Sequence, residues 1–590
     1  MKQFLKNVLA SALGFILGGF LLFIFLIVLL AGIAASLSSE TEMTVDESSV
    51  LQLDLNREIT ERTSKNPLES LQFGSIDDWK TLGLNDIIKN IDKAKRYTRI
   101  KGIFLNMSSV QAGGATIEEI RNALIDFKKS GKFIYSYGEV YGQGAYYLAS
   151  VSDKMFVHPE GMIDFRGMSM ELMFFKGALE KLEVEPQIIR HGKFKSAVEP
   201  FLLDKMSPEN REQLETLSSS VWGRVLEGIS ESRKVPVERL QLLADTLVGR
   251  DAQASRDAGL VDVVCYYDEF LLELRKKSGW SETEKEHLVK ISSYDNAYVK
   301  SEKPYSSDKI AVIYAVGDIV DGKGDDRTIG GATTSAELRK ARKDSSVKAV
   351  VLRINSPGGS ALASDVIWRE VELTRKVKPV IASMGDYAAS GGYYIACAAD
   401  SIVADRNTIT GSIGVFGLMF NAQKMFNNKL GVTFDTVKTG RNSDIGSMTR
   451  PMRPEEREII QSEVEKTYQT FIGHVADGRK MSKDAVDSIG QGRVWSGTDG
   501  KRIGLVDKYG DLQDAIAMAA RMAKLDNYRI SELPRQKEIF EVLMSDFSEE
   551  VKSWMIRTEL GTEFRYYESI REVTRDRGIL TRLPFGITLY

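Results

Sequence analysis

One serine, Ser390, lies inside a run of small residues, GDYAASGGYY, that spans residues 385–394. A second glycine turn, RINSPGGS, lies upstream at residues 353–360. Each turn follows an apolar run that is typical of a buried strand. A peptide backbone can approach closely to a serine flanked by residues this small, and nearby glycine amides can face a developing oxyanion. The two turns therefore indicate acyl-transfer chemistry.

A serine hydroxyl is a weak nucleophile and needs a base that accepts its proton. Histidine is the usual base, but His474 lies in a helical pattern, where a surface or hydrogen-bonded histidine is the simpler interpretation. The alternative is a lysine made neutral by burial, and the segment HGKFKSAVEP at residues 191–200 contains two, Lys193 and Lys195. Spacing alone does not select Lys195, because a solvated lysine is the ordinary case.

Composition narrows the classes of function. The chain has 590 residues, more than one domain requires, and its 43% hydrophobic and 27% charged residues are typical of a globular protein. A net charge of −3 gives no general attraction to nucleic acid, so no nucleic-acid partner is expected. The two cysteines, Cys265 and Cys397, predict neither a disulfide framework nor a thiolate metal site. None of the four histidines has the spacing of a zinc hydrolase, and no metal is expected.

The N-terminus contains a candidate membrane anchor. Lys2 and Lys6 precede an uncharged, mostly apolar run at residues 8–36. As a helix, this run exceeds the hydrocarbon core of a bilayer, at roughly 1.5 Å per residue against roughly 30 Å. It is also longer than the apolar core of a cleaved signal peptide, although small residues at its end leave cleavage open. The lysines favour a short cytoplasmic N-terminus at residues 1–7, with the rest of the chain outside the cytoplasm.

The remainder of the chain contains an internal repeat. Two pairs of similar segments are separated by the same 247 residues, and a third pair follows at a separation of 245. The pairs are 101–106 with 348–353, 138–149 with 385–396, and 258–262 with 503–507. In this register Ser390 aligns with Gln143, which cannot act as a serine-type nucleophile. The first half has therefore kept the scaffold and lost that chemical group, or has gained another task.

Apolar runs alternate with amphipathic segments in each half, which predicts parallel βαβ units and an α/β fold. In the second half we expect strands at 310–316, 347–354 and 379–384, and helices at 335–343 and 364–375. The predicted domains are a first repeat at 45–290, a polar linker at 291–308, a second repeat at 309–526 and a charged C-terminal tail at 527–590. The tail is assigned no role.

Four segments in order resemble the signal peptide peptidase A (protease IV) family of membrane-anchored serine–lysine proteases, in its long, two-repeat form. They are GKFKSAVEPF at 192–201, NSPGG at 355–359, ASGGY at 389–393 and TGSIG at 410–414. The resemblance extends from the anchor through about residue 525. The NSPGG turn is also similar to that of the Clp protease peptidase subunit and its crotonase-like relatives. The expected fold is therefore two tandem Clp/crotonase-like βαβ repeats preceded by a transmembrane helix.

The resemblance implies roles for particular residues. Ser390 corresponds to the family's nucleophile, Lys195 to its general base, and Ser412 to a hydroxyl that helps to hold the lysine amine. Backbone amides of Gly359 and Gly391, one from each turn, are the expected oxyanion donors. The base then comes from the first repeat and the nucleophile from the second, so the two repeats must pack together to form one composite site in each chain.

The resemblance also implies substrates, assembly and location. It implies proteolysis of apolar, membrane-associated peptides, including cleaved signal peptides, at the outer face of the cytoplasmic membrane of a bacterium. It implies a homo-oligomer, a tetramer in this family, although the subunit number cannot be derived from the sequence. Serine–lysine chemistry requires no cofactor, and none is expected.

Two other functions are compatible with parts of the sequence. A crotonase-like acyl-thioester enzyme would use the same oxyanion geometry, but the anchor and the serine of the ASGG turn argue against it. A catalytically silent membrane scaffold is conceivable because one repeat already lacks the serine. The presence of Ser390, Lys195 and both glycine turns argues against that alternative.

Overall fold

A computed structural model gives the fold of the chain. It describes residues 43–63, 82–297, 304–325, 327–536 and 578–582, together with residues 6, 14, 15, 17–19, 21, 25 and 299. Most of the predicted anchor at 8–36 and of the predicted cytoplasmic segment at 1–7 lies outside these residues. Within the described part of the chain, no helix is both long enough and apolar enough to cross a membrane.

The N-terminal half forms a parallel sheet of six strands. These are β1 (Ser49–Leu53), β4 (Ile100–Asn106), β5 (Phe133–Tyr141), β6 (Lys154–Ile163), β8 (Val263–Val264) and β9 (Leu288–Lys290). Their order across the sheet is β8-β6-β5-β4-β1-β9, with every neighbouring pair parallel. Strand β4 is buried at nearly every position, as expected when helices cover both faces of a parallel sheet.

The C-terminal half repeats this arrangement. Its strands are β10 (Lys309–Val316), β13 (Val347–Ser356), β15 (Val380–Ala389), β16 (Ser401–Ala404), β17 (Ile409–Gly411), β19 (Val494–Ser496), β20 (Lys508–Tyr509) and β21 (Arg529–Leu533). The order β20-β16-β15-β13-β10-β21 reproduces the first sheet strand for strand. In addition, β17 pairs with the end of β15, and β19 pairs antiparallel with β17. The internal repeat read from the sequence is therefore a repeat of topology.

A third sheet joins the two halves. Its strands are β7 (Glu185–His191), β11 (Asp318–Val320), β12 (Thr328–Gly330), β14 (Gly358–Ser360), β18 (Val415–Asn421) and β22 (Gly578–Arg582), and their order is β12-β11-β14-β22-β18-β7. A separate two-stranded sheet contains β2 (Ile59–Thr60) and β3 (Leu82–Gly83). Because β7 belongs to the first half and the other five strands of the third sheet do not, this sheet fixes one half against the other.

Helices cover both large sheets. Those of the first half are α1 (Leu84–Arg96), α2 (Gly114–Lys128), α3 (Gln143–Ala149), α4 (Lys176–Leu182), α5 (Glu199–Leu202), α6 (Pro208–Arg233), α7 (Val237–Asp245), α8 (Ala252–Asp257), α9 (Tyr267–Ser278) and α10 (Ile291–Tyr294). Those of the second half are α11 (Gly331–Lys343), α12 (Ala361–Arg375), α13 (Gly391–Ala396), α14 (Pro454–Arg479), α15 (Lys483–Ile489), α16 (Gly497–Arg502) and α17 (Leu512–Met522). Short 3₁₀ turns at Ser196–Val198 and Val248–Arg250 and a π-helix at Met425–Leu430 complete the described helical elements.

Each half has a hydrophobic core of its own. In the first half Ile103 and Leu105 of β4 pack with Leu148 of α3, and all three are fully buried. In the second half Leu352 of β13 and Ile395 of α13 occupy the corresponding place. Two similar cores mean that each repeat folds around its own parallel sheet. A site built from both repeats must lie on the surface where they meet.

Two described strands lie outside the segments predicted as the repeats. The second repeat was expected to end at residue 526, whereas β21 extends the second sheet to Leu533 by parallel pairing with β10. Strand β22 also falls in the segment predicted as a charged tail, yet it lies within the third sheet between β14 and β18. Part of the C-terminal segment is therefore structural.

Candidate active site

Ser390 lies at the junction between β15 and α13. Its φ of 54° and ψ of −113° are unusual for a residue with a side chain, and such a backbone costs roughly 1–3 kcal/mol. The Ser390 N–H donates to the carbonyl of Gly411 on the neighbouring strand β17, at 2.8 Å. Ser390 is fully buried. The surrounding structure therefore holds the hydroxyl in one strained, defined position.

Lys195 reaches this hydroxyl from the first repeat. It follows β7, which pairs antiparallel with β18 of the second repeat, His191 opposite Val415. The Lys195 Nζ lies 2.9 Å from the Ser390 Oγ. The structure thus brings together the two residues that the sequence analysis singled out, 195 positions apart in the chain.

The environment of Lys195 favours the neutral amine. The side chain is fully buried, and this desolvation lowers its pKa from 10.5 to about 7. Burial is the sole cause of the shift, because no described carboxylate offsets it by a charge interaction with the ammonium. The remaining polar neighbours of Nζ are the hydroxyl of Ser412 at 3.1 Å and the carbonyl oxygen of the same residue at 3.4 Å.

Ser412 is held in place by a backbone hydrogen bond to Arg493, the residue just before β19. It lies just beyond β17 with a positive φ of 50°, and its N–H donates to the carbonyl of Arg493 at 2.7 Å. This geometry aims both the hydroxyl and the carbonyl of Ser412 at the lysine amine. The structure therefore places Ser412 where the sequence analysis expected a supporting hydroxyl.

The glycine turn approaches Ser390 from the other side. Gly358 and Gly359 have φ values of 111° and 152°, which only glycine adopts without strain. A Cβ added at Gly358 would stand 2.8 Å from the backbone nitrogen of Gly391, so the two turns are in direct contact. Gly391 opens α13, and its N–H therefore has no partner within the helix. The amides named as oxyanion donors lie on two turns that meet beside Ser390.

Residues of the first repeat also tie the two turns together. Glu61 accepts hydrogen bonds from Asn355 Nδ2 at 3.0 Å and from the Arg353 Nε at 2.9 Å. Asn355 in turn accepts from the Tyr387 N–H at 3.1 Å, which connects the glycine turn to the strand that carries Ser390. Glu119 forms a second ion pair with Arg353, at 2.8 Å, and all three charged side chains are buried.

A second set of hydrogen bonds between the repeats involves Asp386, four residues before the serine. Its carboxylate accepts hydrogen bonds from the N–H and the hydroxyl of Thr116, at 2.9 and 2.7 Å, near the start of α2. Burial raises the pKa of Asp386, and the two hydrogen bonds from Thr116 act in the opposite direction. Sequence reasoning assigned no role to any of these four residues. Glu61 and Thr116 belong to no motif that signals chemistry, whereas Asn355 and Asp386 lie inside the two glycine-rich segments.

The alternative base lies elsewhere. His474 contacts the Asp365 carboxylate through Nε2 at 3.1 Å, and its ring stacks on Trp368 with centroids 3.4 Å apart. These partners account for His474 as a packed, hydrogen-bonded histidine. Within the described residues, no group of His, Cys, Asp and Glu side chains is arranged to hold a metal ion.

A strained hydroxyl, a desolvated amine and converging backbone amides form a site that can carry out acyl transfer by a covalent route. Comparison with known proteins agrees with that class. The model of peptidase family S49 matches the chain twice, at residues 126–281 and 372–526, once in each repeat. The chain belongs to peptidase family S49 and is a serine peptidase.

Relatives match over much of the chain. Protease 4 of Salmonella typhi is 38% identical over 91% of this chain and 88% of its own length. A chloroplastic serine protease, SPPA, of Arabidopsis thaliana is 36% identical over 75% of this chain and 66% of its own length. A putative signal peptide peptidase, SppA, of Enterococcus faecium is 34% identical over 43% of this chain and 70% of its own length. These matches confirm the family that the four segments indicated.

A solved structure of a different peptidase matches more weakly. A ClpP1 mutant from Listeria monocytogenes covers 36% of this chain and 95% of its own, at 15% identity and a TM-score of 0.24. A likeness at this level carries no argument about the chain. The α/β fold with two family repeats rests on the strand topology and on the family matches.

Proposed function

We propose that this protein is a membrane-anchored serine endopeptidase with a Ser390–Lys195 dyad. One observation carries the proposal: the fully buried Lys195 amine lies 2.9 Å from the Ser390 hydroxyl. That distance is within the range in which a base can take a proton from a nucleophile. Lysine is rarely buried without a carboxylate partner, and a neutral amine explains why it is tolerated in this position.

The first step is attack of Ser390 on a peptide carbonyl. The Ser390 O–H donates to the neutral Lys195 amine, and the proton moves to nitrogen as the Oγ–carbon bond forms. Lowering a lysine pKa from 10.5 to about 7 disfavours the ammonium by roughly 5 kcal/mol, so the resting amine can accept this proton near neutral pH. The Ser412 hydroxyl and carbonyl accept hydrogen bonds from the amine and orient it.

The negative charge that develops on the carbonyl oxygen faces the amides of Gly359 and Gly391. One such donor typically stabilises the transition state by ~3 kcal/mol. Lys195 then returns its proton to the leaving amine, which frees an acyl-enzyme on Ser390. Water, activated by the same amine, hydrolyses the acyl-enzyme and regenerates both groups, so the reaction requires no cofactor.

The substrates we propose are apolar peptides, including cleaved signal peptides, at the outer face of the cytoplasmic membrane. The apolar run at 8–36 supports an anchor, and Lys2 and Lys6 support a cytoplasmic N-terminus. The signal peptide peptidase named among the relatives supports this substrate class. A homo-oligomer, a tetramer by family resemblance, belongs to the same proposal.

Active-site labelling tests the dyad. A fluorophosphonate probe is expected to label the wild-type protein and the Lys193→Ala variant, which lacks an exposed lysine two positions from the base. Ser390→Ala is expected to lose labelling and peptidase activity completely, and Lys195→Ala to lose both by at least about 10²-fold. Labelling that survives Ser390→Ala would reject the nucleophile, and full activity in Lys195→Ala would reject the base.

The anchor is tested separately. Full-length protein is expected in the membrane fraction after high-salt washing, whereas a chain lacking residues 1–36 is expected in the soluble fraction with its activity on short peptides retained. Recovery of the shortened chain in washed membranes would contradict the anchor. Hydrolysis of acyl thioesters in preference to peptides would favour the crotonase-like alternative, and an unlabelled, inactive wild-type protein would favour a silent scaffold.

A further inference from the structure

The most informative feature outside the dyad is Gln213, a buried side chain of α6 that contacts the backbone around Lys195. Gln213 is 1% exposed. Its Nε2 donates to the carbonyl of Phe194 at 3.2 Å and to the hydroxyl of Ser196 at 2.9 Å. These two residues immediately precede and follow the base. The amide therefore holds the loop that carries Lys195 on both sides of that residue.

The carbonyl of the same amide binds the second repeat. The N–H of Val494, the first residue of β19, donates to the Gln213 Oε1 at 3.2 Å. The preceding residue, Arg493, accepts a hydrogen bond from the Ser412 N–H at 2.7 Å. Ser412 in turn places its hydroxyl beside the lysine amine. One side chain of the first repeat is thus connected to the base and, through β19, to the residue that orients the base.

Residues 490–494 of the second repeat pack against the loop that carries Lys195. The Phe194 N–H donates to the carbonyl of Gln491 at 3.0 Å. Gly492 has a φ of 80°, and a Cβ at this position would stand 2.6 Å from the Cβ of Lys195, so the two backbones are in direct contact. The loop is therefore enclosed between α6 and a segment of the other repeat, and Lys195 is fully buried there.

The hydrogen-bond partners of residue 213 require an amide. The carbonyl of Phe194, the hydroxyl of Ser196 and the Asn210 Oδ1, which lies 3.0 Å away, surround the Nε2 and accept from N–H groups, while the Val494 N–H needs an acceptor. A carboxylate lacks the donors, and an apolar side chain leaves these groups unpaired. Each unpaired buried group costs about 1–3 kcal/mol. Loss of the amide therefore favours a rearrangement that lets water into the loop.

Charged and titratable groups surround the loop, but they do not set the state of the base. The Arg190 Nη1 donates to the Lys195 carbonyl at 3.3 Å, and not to its amine. The other groups on elements packed against the loop are Lys193, His191 with Glu465 and Tyr468, Glu199, and Glu212 with Arg493. None of them accounts for the lowered pKa of Lys195, which desolvation alone produces. The protonation of the base therefore depends on how completely the loop is shielded from water.

We infer that Gln213 is a positioning residue for the general base: its amide fixes the backbone on both sides of Lys195 against β19 and thereby keeps the amine beside Ser390 and out of water. The inference rests on the proposed Ser390–Lys195 mechanism. The described hydrogen bonds of Gln213 reach neither the lysine amine nor the serine hydroxyl, so it acts through the loop. Its loss is expected to change kcat and the pH dependence of the reaction, and to leave KM unchanged.

The pH dependence of fluorophosphonate labelling tests this role. Gln213→Met replaces the amide by an apolar group of similar length. The labelling rate of the wild type should have its midpoint at about pH 7, and Gln213→Met is expected to raise the midpoint by at least about one pH unit, because water in the loop stabilises the ammonium. The deficit in rate relative to wild type is then about tenfold larger at pH 6 than at pH 9. A rate constant does not depend on the folded fraction, so a variant that folds poorly still gives a result.

Gln143→Met is the matched control. Gln143 is a buried glutamine of the same repeat whose described hydrogen bonds come from Arg166 and Gly167 and not from the loop of the base. This variant is expected to keep the wild-type midpoint within about 0.3 pH unit, because the surroundings of the lysine are unchanged. In peptide assays at pH 7, Gln213→Met is expected to lower kcat at least about fivefold and to leave KM within about twofold of wild type.

A second variant at the same position separates the amide from its shape. Gln213→Glu keeps the length and outline of the side chain but lacks the N–H donors. Its carboxylate also favours a nearby ammonium, so the midpoint of labelling is expected to rise at least as far as in Gln213→Met. A midpoint of Gln213→Glu at the wild-type value would overturn the inference.

The remaining outcomes are equally decisive. An unchanged midpoint in Gln213→Met, the same fractional loss at pH 6 and pH 9, or an equal shift in Gln143→Met would overturn the inference, because each means that Gln213 contributes only to stability. A loss confined to KM would also overturn it, since substrate binding would then be affected. The proposed function fails separately, if Ser390→Ala keeps the label or Lys195→Ala keeps full activity.

Discussion

The two repeats place different residues at the same turn. In the first repeat Gln143 is the first residue of α3, and its φ is not positive. In the second repeat Ser390 occupies the aligned position with a φ of 54°. Gln143 is 3% exposed and accepts hydrogen bonds from the N–H groups of Gly167, at 3.1 Å, and of Arg166, at 3.4 Å. The same turn therefore has a relaxed backbone and a hydrogen-bond acceptor in one half, and a strained backbone that carries Ser390 in the other.

The glycine turn of the second repeat also differs from the aligned turn of the first repeat. In the register of the repeat, Gly359 aligns with Ala112, whose φ is not positive. At this aligned position the first repeat therefore lacks the positive-φ backbone that Gly359 has in the second. It contributes instead to the second repeat's site, through Lys195 and through the polar groups of Glu61 and Thr116. In the proposed mechanism one copy of the scaffold supplies the nucleophile, and the other supplies the base and the polar groups that position it.

The largest expected effect comes from moving the nucleophile to the first repeat. The double variant Ser390→Ala with Gln143→Ser is expected to show no recovery of activity over Ser390→Ala, at least about 10⁴-fold below wild type. The turn at Gln143 is relaxed, and no described lysine amine contacts it. Peptidase assays and fluorophosphonate labelling measure this, and any label on the new serine would show that the repeats are more alike than the geometry indicates.

The next effect concerns the oxyanion turn. Gly359→Ala puts a Cβ against the carbonyl oxygen of Ile319 at a φ of 152°, so the amide must move. We expect kcat to fall about 10²–10³-fold, as for loss of one oxyanion donor. The matched change in the other repeat, Ala112→Gly, is expected to leave kcat within about twofold. Equal losses in the two variants would contradict the functional difference between the turns.

The pH profile measures the lysine pKa. Lys195 must be neutral to accept the proton, and burial lowers its pKa to about 7. We expect kcat/KM to rise tenfold per pH unit below pH 7 and to level off above it, so that pH 5 gives about one-hundredth of the plateau. A rise that continues to about pH 10 would mean that the lysine is solvated. Lys193→Ala is the control and should leave the profile unchanged.

The same pKa predicts a change of stability with pH. Below pH 7 Lys195 is protonated in both the folded and the unfolded states, and the folded state bears the full cost of a buried ammonium. Between pH 7 and 10.5 only the unfolded chain binds the proton, and this binding stabilises the unfolded state. The stabilisation weakens as the pH rises toward 10.5. The contribution of Lys195 to the free energy of unfolding therefore increases over that window. Urea titrations of wild type and Lys195→Met at pH 6 and 9 are expected to show a larger pH dependence in the wild type.

The smallest expected effect is at the structural tie. Gln143→Ala removes the acceptor for Arg166 and Gly167 and is expected to lower the free energy of unfolding by about 1–2 kcal/mol. Peptidase activity at 25 °C is expected to stay within about threefold of wild type. Denaturant titration gives the first quantity and a peptide assay the second. A loss of activity without a loss of stability would show that the first turn has a catalytic task of its own.

Much of the fold could be read from local patterns. The buried runs at 310–316 and 347–354 correspond to β10 and β13, and the predicted helices at 335–343 and 364–375 lie within α11 and α12. These elements follow from hydrophobic periodicity, which depends on neighbours in the chain. The limits of the second repeat were harder to predict, because β21 is a strand only through its pairing with β10.

The residues of the candidate site also include some that the sequence predicted and some that it did not. Ser390 and the two glycine turns are recognisable from residue types, since acyl transfer requires a small, strained turn and free amides. Glu61, Thr116 and Asp386 were missed because each is an ordinary polar residue until the partner repeat packs against it. The segment GILTR of β22 was likewise missed, since five residues without periodicity do not indicate a strand.

By itself, the sequence determined the chemical groups, the duplicated scaffold and the order of the four family segments, because these depend on residue type and spacing. Only the tertiary structure decided that an amine and a hydroxyl from different repeats lie 2.9 Å apart, that the amine loses its water, and that a distant C-terminal strand enters the same sheet. Proximity and desolvation arise when separate surfaces pack together, and no local pattern of residues records which surfaces will meet.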